Sequence, residues 1–353
     1  MGDFAVTLAE KCFKVAVRLS TTLDNLVPYI CRVFCCFYIL ITLGSSQGGT
    51  QIEFVHGDDQ IKIRLDGRDF STFYFGRDVP KPFLHPLRTI DGIVATRSFP
   101  MEKIPGEVRD HSHHRGVWFA HGDVNGYDFW ANEFESKAEN KGQIVLQSIR
   151  HTTELSSKRG TIEATFEWRS PKGKLLLTEN RTMTFHVGSP NRVVDFDFVL
   201  TATDQKVRFG DTKEGTFGIR VATELEEARV GTTGILRTGR IQSAEHKIGE
   251  LEVWGKRSRW VDYSGSIAGK TLGIAILDHP DNPRHPTYWH VRSYGLFAAN
   301  IFGQHDFHAD PKRDASLTLK PHTALRFRYR VVLHPGDTEA ANVQGLYNRY
   351  ISE

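Results

Sequence analysis

Cysteine is confined to one end of this 353-residue chain: Cys12, Cys31, Cys35 and Cys36 are all there is. The folded part therefore carries no disulfide, no thiolate nucleophile and no Cys-ligated zinc or iron–sulfur cluster. An excess of one charge is also missing. The 45 basic and 42 acidic residues leave a net charge of +3. That balance gives no electrostatic reason to expect nucleic acid as a partner. There is no G-x-S-x-G elbow, P-loop, dinucleotide fingerprint or H-E-x-x-H helix. Alternating strand and helix patterns are absent too, which excludes doubly wound and TIM architectures. No fixed-period repeat and no low-complexity linker divides the chain.

What is present begins with one short apolar run, VFCCFYILITL at 33–43, preceded by Arg32 and followed by small and polar residues. That is the pattern of a secretory signal, and a spanning helix would need about 20 apolar residues. Residues 1–48 are therefore expected to be a signal peptide or an N-terminal membrane anchor. The rest is expected to be exported, periplasmic or extracellular. Residues 1–25 are long for such a leader and hold Asp3, Glu10 and Asp24, as an over-extended start would. No second membrane segment follows, so any membrane contact runs through this one.

From residue 51 onward the text reads as strands. Segments 51–55, 60–65 and 68–75 are joined by Gly57-Asp58-Asp59 and Asp66-Gly67, tight-turn chemistry. Segments 142–151, 160–168, 174–186 and 192–203 follow, then 217–222, 249–263, 270–278, 288–301 and 316–334. In 193–198, Val193, Asp195 and Asp197 alternate with Val194, Phe196 and Phe198, a period of two that separates two faces. Residues 76–110 carry five prolines and read as a long loop or short edge strands. One helix is expected, over 339–351, capped by Asp337 or Thr338. The fold class is all-β: one large antiparallel β-sandwich over 49–353 with a short C-terminal helix.

Chemistry concentrates in two histidine-rich stretches. Residues 110–130 (DHSHHRGVWFAHGDVNGYDFW) hold four histidines in their first twelve positions: His111, His113, His114 and His121. Histidine shuttles protons near neutral pH and is the commonest metal ligand. In extended chain His111 and His113 share a face while His114 points away. Residues 278–303 hold His279, His285 and His290, stiffened by three prolines. On the expected strand 288–301, His290, Arg292 and Tyr294 share one face and Trp289 takes the other. A third patch, Asp211-Thr212-Lys213-Glu214-Gly215, offers a carboxylate beside a lysine for general acid or base work. Trp118, Trp130 and Trp289 lie inside the histidine-rich stretches, where rings suit the flat faces of sugars. Trp168 and Trp254 read as core.

The segments 110–124, 211–222 and 278–300 together resemble a bacterial exported family of unknown function, sometimes labelled methane-oxygenase-like. The resemblance covers about residues 50–350. It implies a fold similar to the large β-supersandwich of galactose mutarotases, and with it a carbohydrate substrate. A membrane methane oxygenase would need many spanning helices, so the label fits poorly. Mutarotases use a histidine acid and a glutamate base, but their motifs do not align here, and no catalytic residue carries over. Glu214 with His113 or His114 would be an analogous pair.

Three readings result. The first is an exported carbohydrate-active enzyme, performing hydrolysis, elimination or epimerisation. In it His113, His114, Glu214 and His290 would be catalytic, and Arg115, Trp118, Lys213, Trp289, Arg292 and Asn300 would bind substrate. The second is an enzyme dependent on a divalent metal, drawing ligands from His111, His113, His121 and His279. The third is a non-catalytic glycan-binding protein, which would have little use for so many titratable histidines.

Overall fold

The computed structural model describes residues 51–154, 158–188, 190–228 and 234–353. The expected signal or anchor, residues 1–48, lies outside them. Among the described residues no helix is long and apolar enough to cross a membrane.

Strands are numbered along the chain. The first eight-stranded sheet runs β1 (Ile52–His56), β2 (Gln60–Leu65), β3 (Arg68–Tyr74), β4 (Phe83–His85), β5 (Val117–His121), β11 (Gly215–Arg220), β16 (Leu296–Asn300) and β15 (Tyr288–Val291). The second runs β12 (Arg240–Ser243), β13 (Trp260–Ile267), β14 (Lys270–Asp278), β18 (Ala324–Pro335), β9 (Arg192–Ala202), β8 (Leu175–His186), β7 (Arg159–Arg169) and β6 (Gln143–Glu154). A small pair, β10 (Val207–Phe209) and β17 (Leu317–Leu319), stands apart. Neighbouring strands pair antiparallel, as the hairpin turns in the sequence require. The architecture is a large antiparallel β-sandwich.

The sequence alternation is what stacks the sheets. In β9, Val194, Phe196, Phe198 and Leu200 are buried while Asp195 and Asp197 face outward. Across the interior, the Phe119 ring of β5 stacks on Phe198 at 4.1 Å, and Phe217 of β11 stacks on Tyr329 of β18 at 4.8 Å. Trp168 is core as expected, its indole N–H donating to the buried Glu179 carboxylate at 2.8 Å. Arg181 pairs with that same carboxylate at 2.7 Å and lies over the Phe166 and Phe198 rings. The charge is thereby tolerated inside the sandwich.

Four local expectations are corrected. Residues 288–301 are a hairpin, β15 and β16, not one strand, because Gly295 adopts φ 90° and its amide donates back to Arg292. Residues 249–263 do not run as one strand, since a single helical turn, Glu250–Val253, starts where Glu227 accepts the Glu250 amide. The proline-rich 76–110 contributes β4 to the interior of the first sheet, between β3 and β5. Pro82 and Pro86 bracket its three residues and interrupt no ladder bond. The C-terminal helix is Val343–Ser352 and its cap is Asn342, whose side chain accepts from the Gly345 amide at 3.0 Å. Asp337 instead caps the preceding turn through Ala340, and Thr338 donates to Asp262.

Candidate functional site

Directly opposed residues in a sheet share a face. Phe119 and Phe217 point into the sandwich, so their neighbours Trp118, Ala120, Thr216, Gly218 and Arg220 point out. The register extends that outer row across Trp118, Gly218, Ala298 and His290. Loops cover it. His114 stacks on Trp118 with centroids 5.2 Å apart, and Trp130 packs on Trp118 at 5.0 Å. Phe307 and Trp254 stand edge-on to His290. The indoles need Gly218: a Cβ there would meet Trp118 at 2.9 Å and Trp130 at 3.0 Å.

The first histidine stretch is held by buried arginines that the sequence reading did not single out. Asp110 accepts from Arg97 at 2.6 Å and from Arg220 at 3.1 Å, and lies 3.1 Å from His111 Nδ1. Burial alone would raise the Asp110 pKa; its bonds to His111, Arg220 and Arg97 hold it below the usual carboxylate range. Arg97 also donates to the His111 carbonyl, at 2.9 Å. Behind them Glu226, fully buried, pairs with Arg237 at 3.0 Å and Arg220 at 3.7 Å. The His111 ring stacks between His114 and Tyr294, at 4.8 and 5.3 Å. Tyr294 also lies under the Arg220 and Arg292 guanidinium groups. The two stretches therefore meet, through His111 and Tyr294.

The 211–215 turn is braced rather than loose. His290 Nδ1 donates to the Lys213 carbonyl at 2.9 Å, and the Asn300 amide donates to Thr212 and Lys213 carbonyls at 3.0 and 2.9 Å. Asp306 accepts the Lys213 amide, and the Glu214 carbonyl accepts the Gly122 amide at 2.7 Å. Asp211 is bonded to His305 and Ala315. What this frame presents is the Glu214 side chain. Burial raises its pKa, opposed by Lys213 and assisted by Asp128.

These placements revise most of the expected roles. His114 is buried beneath His111, and its Nδ1 accepts from Arg220 at 3.2 Å, so that nitrogen is spent on holding the ring in place. His290 and Asn300 are committed to bracing the turn, with Asn300 Oδ1 accepting the Phe302 amide at 2.7 Å. Trp289 faces the interior, packed on Phe297 with its N–H bonded to Ser258, and offers nothing to a substrate. Trp118 lies on the correct face but is fully covered. Arg115 is tied to Glu133, which also approaches the buried Lys81, and Arg292 is tied to Glu250 at 2.6 Å. Lys213 stays partly exposed between Glu214 and Asp306, at 3.8 and 3.5 Å.

The expected metal set does not assemble. His121 is buried with Nε2 bonded to the Gly210 carbonyl at 2.9 Å. His279 packs edge-on to Tyr350 of the C-terminal helix and lines a groove of about 520 Å³ on the second sheet. His285 instead closes its own proline-rich loop through Asp278 at 2.7 Å. Among the described residues no three His, Asp or Glu side chains are grouped to hold a metal. The second-sheet groove is lined by matched pairs, Arg330 with Asp195 at 2.5 Å and Arg326 with Asp197.

Three polar tips at the meeting point are left over. His113, the Glu214 carboxylate and the Tyr294 hydroxyl make no hydrogen bond among the described residues. Burial pushes His113 down to about 2, and Lys81, His111, Lys141 and Arg97 push the same way, so it is neutral at physiological pH. Burial raises Tyr294, which keeps its proton. Tyr294 was absent from the expected site residues. Its signal in the sequence was its place on the His290–Arg292–Tyr294 face.

A family model matches residues 60–348. The chain belongs to the family of unknown function DUF6807. That family's description assigns no activity, so the methane-oxygenase label finds no support in it. No curated protein matches this DUF6807 chain. Solved structures give distant likenesses. The GH36 α-galactosidase AgaB of Geobacillus stearothermophilus is 10% identical with a TM-score of 0.39, covering 81% of this chain and 41% of that one. A putative aldose 1-epimerase of Escherichia coli K12 is 11% identical with a TM-score of 0.37, covering 81% and 100%. The galactosidase domain of an α-galactosidase–sucrose kinase, AgaSK, is 8% identical with a TM-score of 0.35, covering 81% and 41%. This chain thus spans about two fifths of the length of the two galactosidase structures. At such TM-scores the likeness carries nothing about residues or reaction.

Proposed function

We propose that the outer face of β5, β11 and β16 binds a sugar and performs proton-transfer chemistry on it. The observation that carries this reading is the trio His113, Glu214 and Tyr294, whose side-chain tips make no hydrogen bond among the described residues. Glu214, its pKa raised by burial, is the proton acceptor and Tyr294, which keeps its proton, the donor, while the His113 imidazole, held neutral, can hydrogen-bond the sugar. The frame is rigid, as proton transfer at hydrogen-bond distance requires.

Hydrolysis by a carboxylate pair would need a second uncommitted acid. Asp110 is bound by two arginines, and Asp128 is bound by Lys141 at 2.6 Å and by the Trp130 and Ala131 amides. Epimerisation or elimination, which one base and one acid can perform, is therefore favoured over hydrolysis.

The test is turnover of a panel of neutral and acidic sugars and oligosaccharides in deuterium oxide, followed by proton NMR. Product formation with solvent deuterium in the product is expected. Glu214→Gln and Tyr294→Phe should each lower the rate by roughly 10²–10⁴-fold, with unchanged melting temperatures. Rates within about tenfold of the parent in both folded variants, less than general acid–base catalysis supplies, would overturn the assignment.

A further inference from the structure

We propose that the N–H groups of Trp118, Trp130 and His114 form a receptor for a carboxylate, so that the sugar taken by this face is an acidic one. This rests on the sugar reading above. The three rings touch one another: centroids are 5.0 Å apart for the two indoles, 5.2 Å for His114 with Trp118 and 6.0 Å for His114 with Trp130. Trp118 Nε1, Trp130 Nε1 and His114 Nε2 are all buried, and none has a hydrogen-bond partner among the described residues. Thr216 Oγ1, on the neighbouring outward row of β11, is a fourth such atom.

The composition of this group decides its ligand. An indole nitrogen only donates. His114 Nδ1 faces the Arg220 guanidinium, which has no lone pair, so Nδ1 accepts and the proton of the neutral ring sits on Nε2. Three fixed donors thus sit on mutually touching rings with no fixed acceptor among them. Buried N–H groups are almost always partnered, and three in contact without partners mark a place where acceptor oxygens belong. A sugar hydroxyl would bring a proton needing its own acceptor. A carboxylate brings only lone pairs.

Cationic side chains stand close to this group, each paired in turn with a carboxylate: Arg97 and Arg220 with Asp110, Lys141 with Asp128, and Lys81 with Glu133. Lys81, fully buried, donates to the Trp130 carbonyl at 2.8 Å. Arg220 reaches His114 itself, and Arg97 lies beside it on Asp110. His113 feels Lys81, His111, Lys141 and Arg97, every one a cationic type. Its ring stands 4.4 Å from His114 and is only half-buried, which places it at the edge of the donor group. A carboxylate entering past His113 would leave the sugar ring beside Glu214 and Tyr294.

The experiment is a ¹H–¹⁵N titration of the full chain, reading the indole N–H signals. Sodium D-glucuronate, D-glucose and sodium acetate are the probes. Trp118→Phe and Trp130→Phe assign the two signals; sequential assignment of the parent serves if either fails to fold. Glucuronate and acetate should both shift the two signals downfield and saturably. Glucuronate should bind about tenfold more tightly than acetate, the gain of about one extra favourable contact, and D-glucose should leave both signals in place. Equal shifts by D-glucose and glucuronate would overturn the carboxylate assignment and leave the sugar reading standing. A shift by acetate with none from either sugar would overturn the acidic-sugar assignment through the sugar reading. No shift with any probe would overturn the receptor.

Discussion

His114 Nδ1 lies 3.2 Å from Arg220 Nη1, and the guanidinium can only donate, so this contact fixes which imidazole nitrogen carries the proton. The same arginine holds Asp110 at 3.1 Å and sits over the Tyr294 ring. One buried residue thus orients three members of the site.

Nitrogen NMR of the side chains checks that tautomer. His114 is expected as the neutral Nε2–H form through the neutral range, its pKa held well below 6.5 by burial first, then by His113 and Arg220. An imidazolium signal appearing near pH 6.5 would contradict it. Arg220→Met should destabilise the fold by about 3–5 kcal/mol, the usual result of stripping one partner from buried charges, measured by urea unfolding.

Stability should fall on mild acidification. His85 and His290 are held down to about 3 and His121 to about 4, in each case chiefly by burial. A folded pKa below the unfolded value of about 6.5 means that the unfolded chain binds protons first. Each of these histidines therefore contributes stability that is complete above pH 6.5 and is lost as pH drops towards its folded value. The slope is about 1.4 kcal/mol per pH unit per group. His334 acts in the opposite sense. Burial opposes its charging, but Asp262 at 3.0 Å raises its pKa. Its contribution is complete below pH 6.5 and is lost as pH rises through the folded value. Urea midpoints at pH 7, 6 and 5 read the balance. A steep fall towards pH 5 is expected, and a flat or rising series would refute it.

Trp289 should behave as core. Trp289→Phe removes the bond to Ser258 and part of the packing on Phe297, and should lower stability by about 1–3 kcal/mol while sugar binding stays as in the parent. Phe119→Ala, which empties the stack on Phe198, should lower it by about 3–5 kcal/mol. Thermal unfolding together with the NMR titration separates the outcomes. Altered binding at unchanged stability in Trp289→Phe would return that residue to the site.

The strands were legible because alternation is local. Val194, Phe196 and Phe198 against Asp195 and Asp197 specify a face wherever β9 is placed. The location of chemistry near 110–114 and 211–215 was legible from residue density. Roles were not, because they depend on contacts distant in sequence. His290 resembles a catalytic histidine until its bond to the Lys213 carbonyl, 77 residues away, is seen. Asn300 and Arg115 are spent in the same way. Arg97 and Arg220 escaped attention because single arginines in a strand text look like solvated surface, and only folding buries them against Asp110. The turn at Gly295 hid in a run of strand-forming residues, and Trp289 was named for lying in a histidine-rich stretch although alternation put it on the face opposite His290.

The most direct test of the site is a crystal structure of the protein soaked with D-glucuronate. The sugar is expected on the outer face of β5 and β11, with its ring in contact with His113, Glu214 and Tyr294 and its carboxylate towards Trp118, Trp130 and His114. A sugar found instead in the arginine-lined groove of the second sheet, beside Asp195 and Arg330, would contradict this assignment.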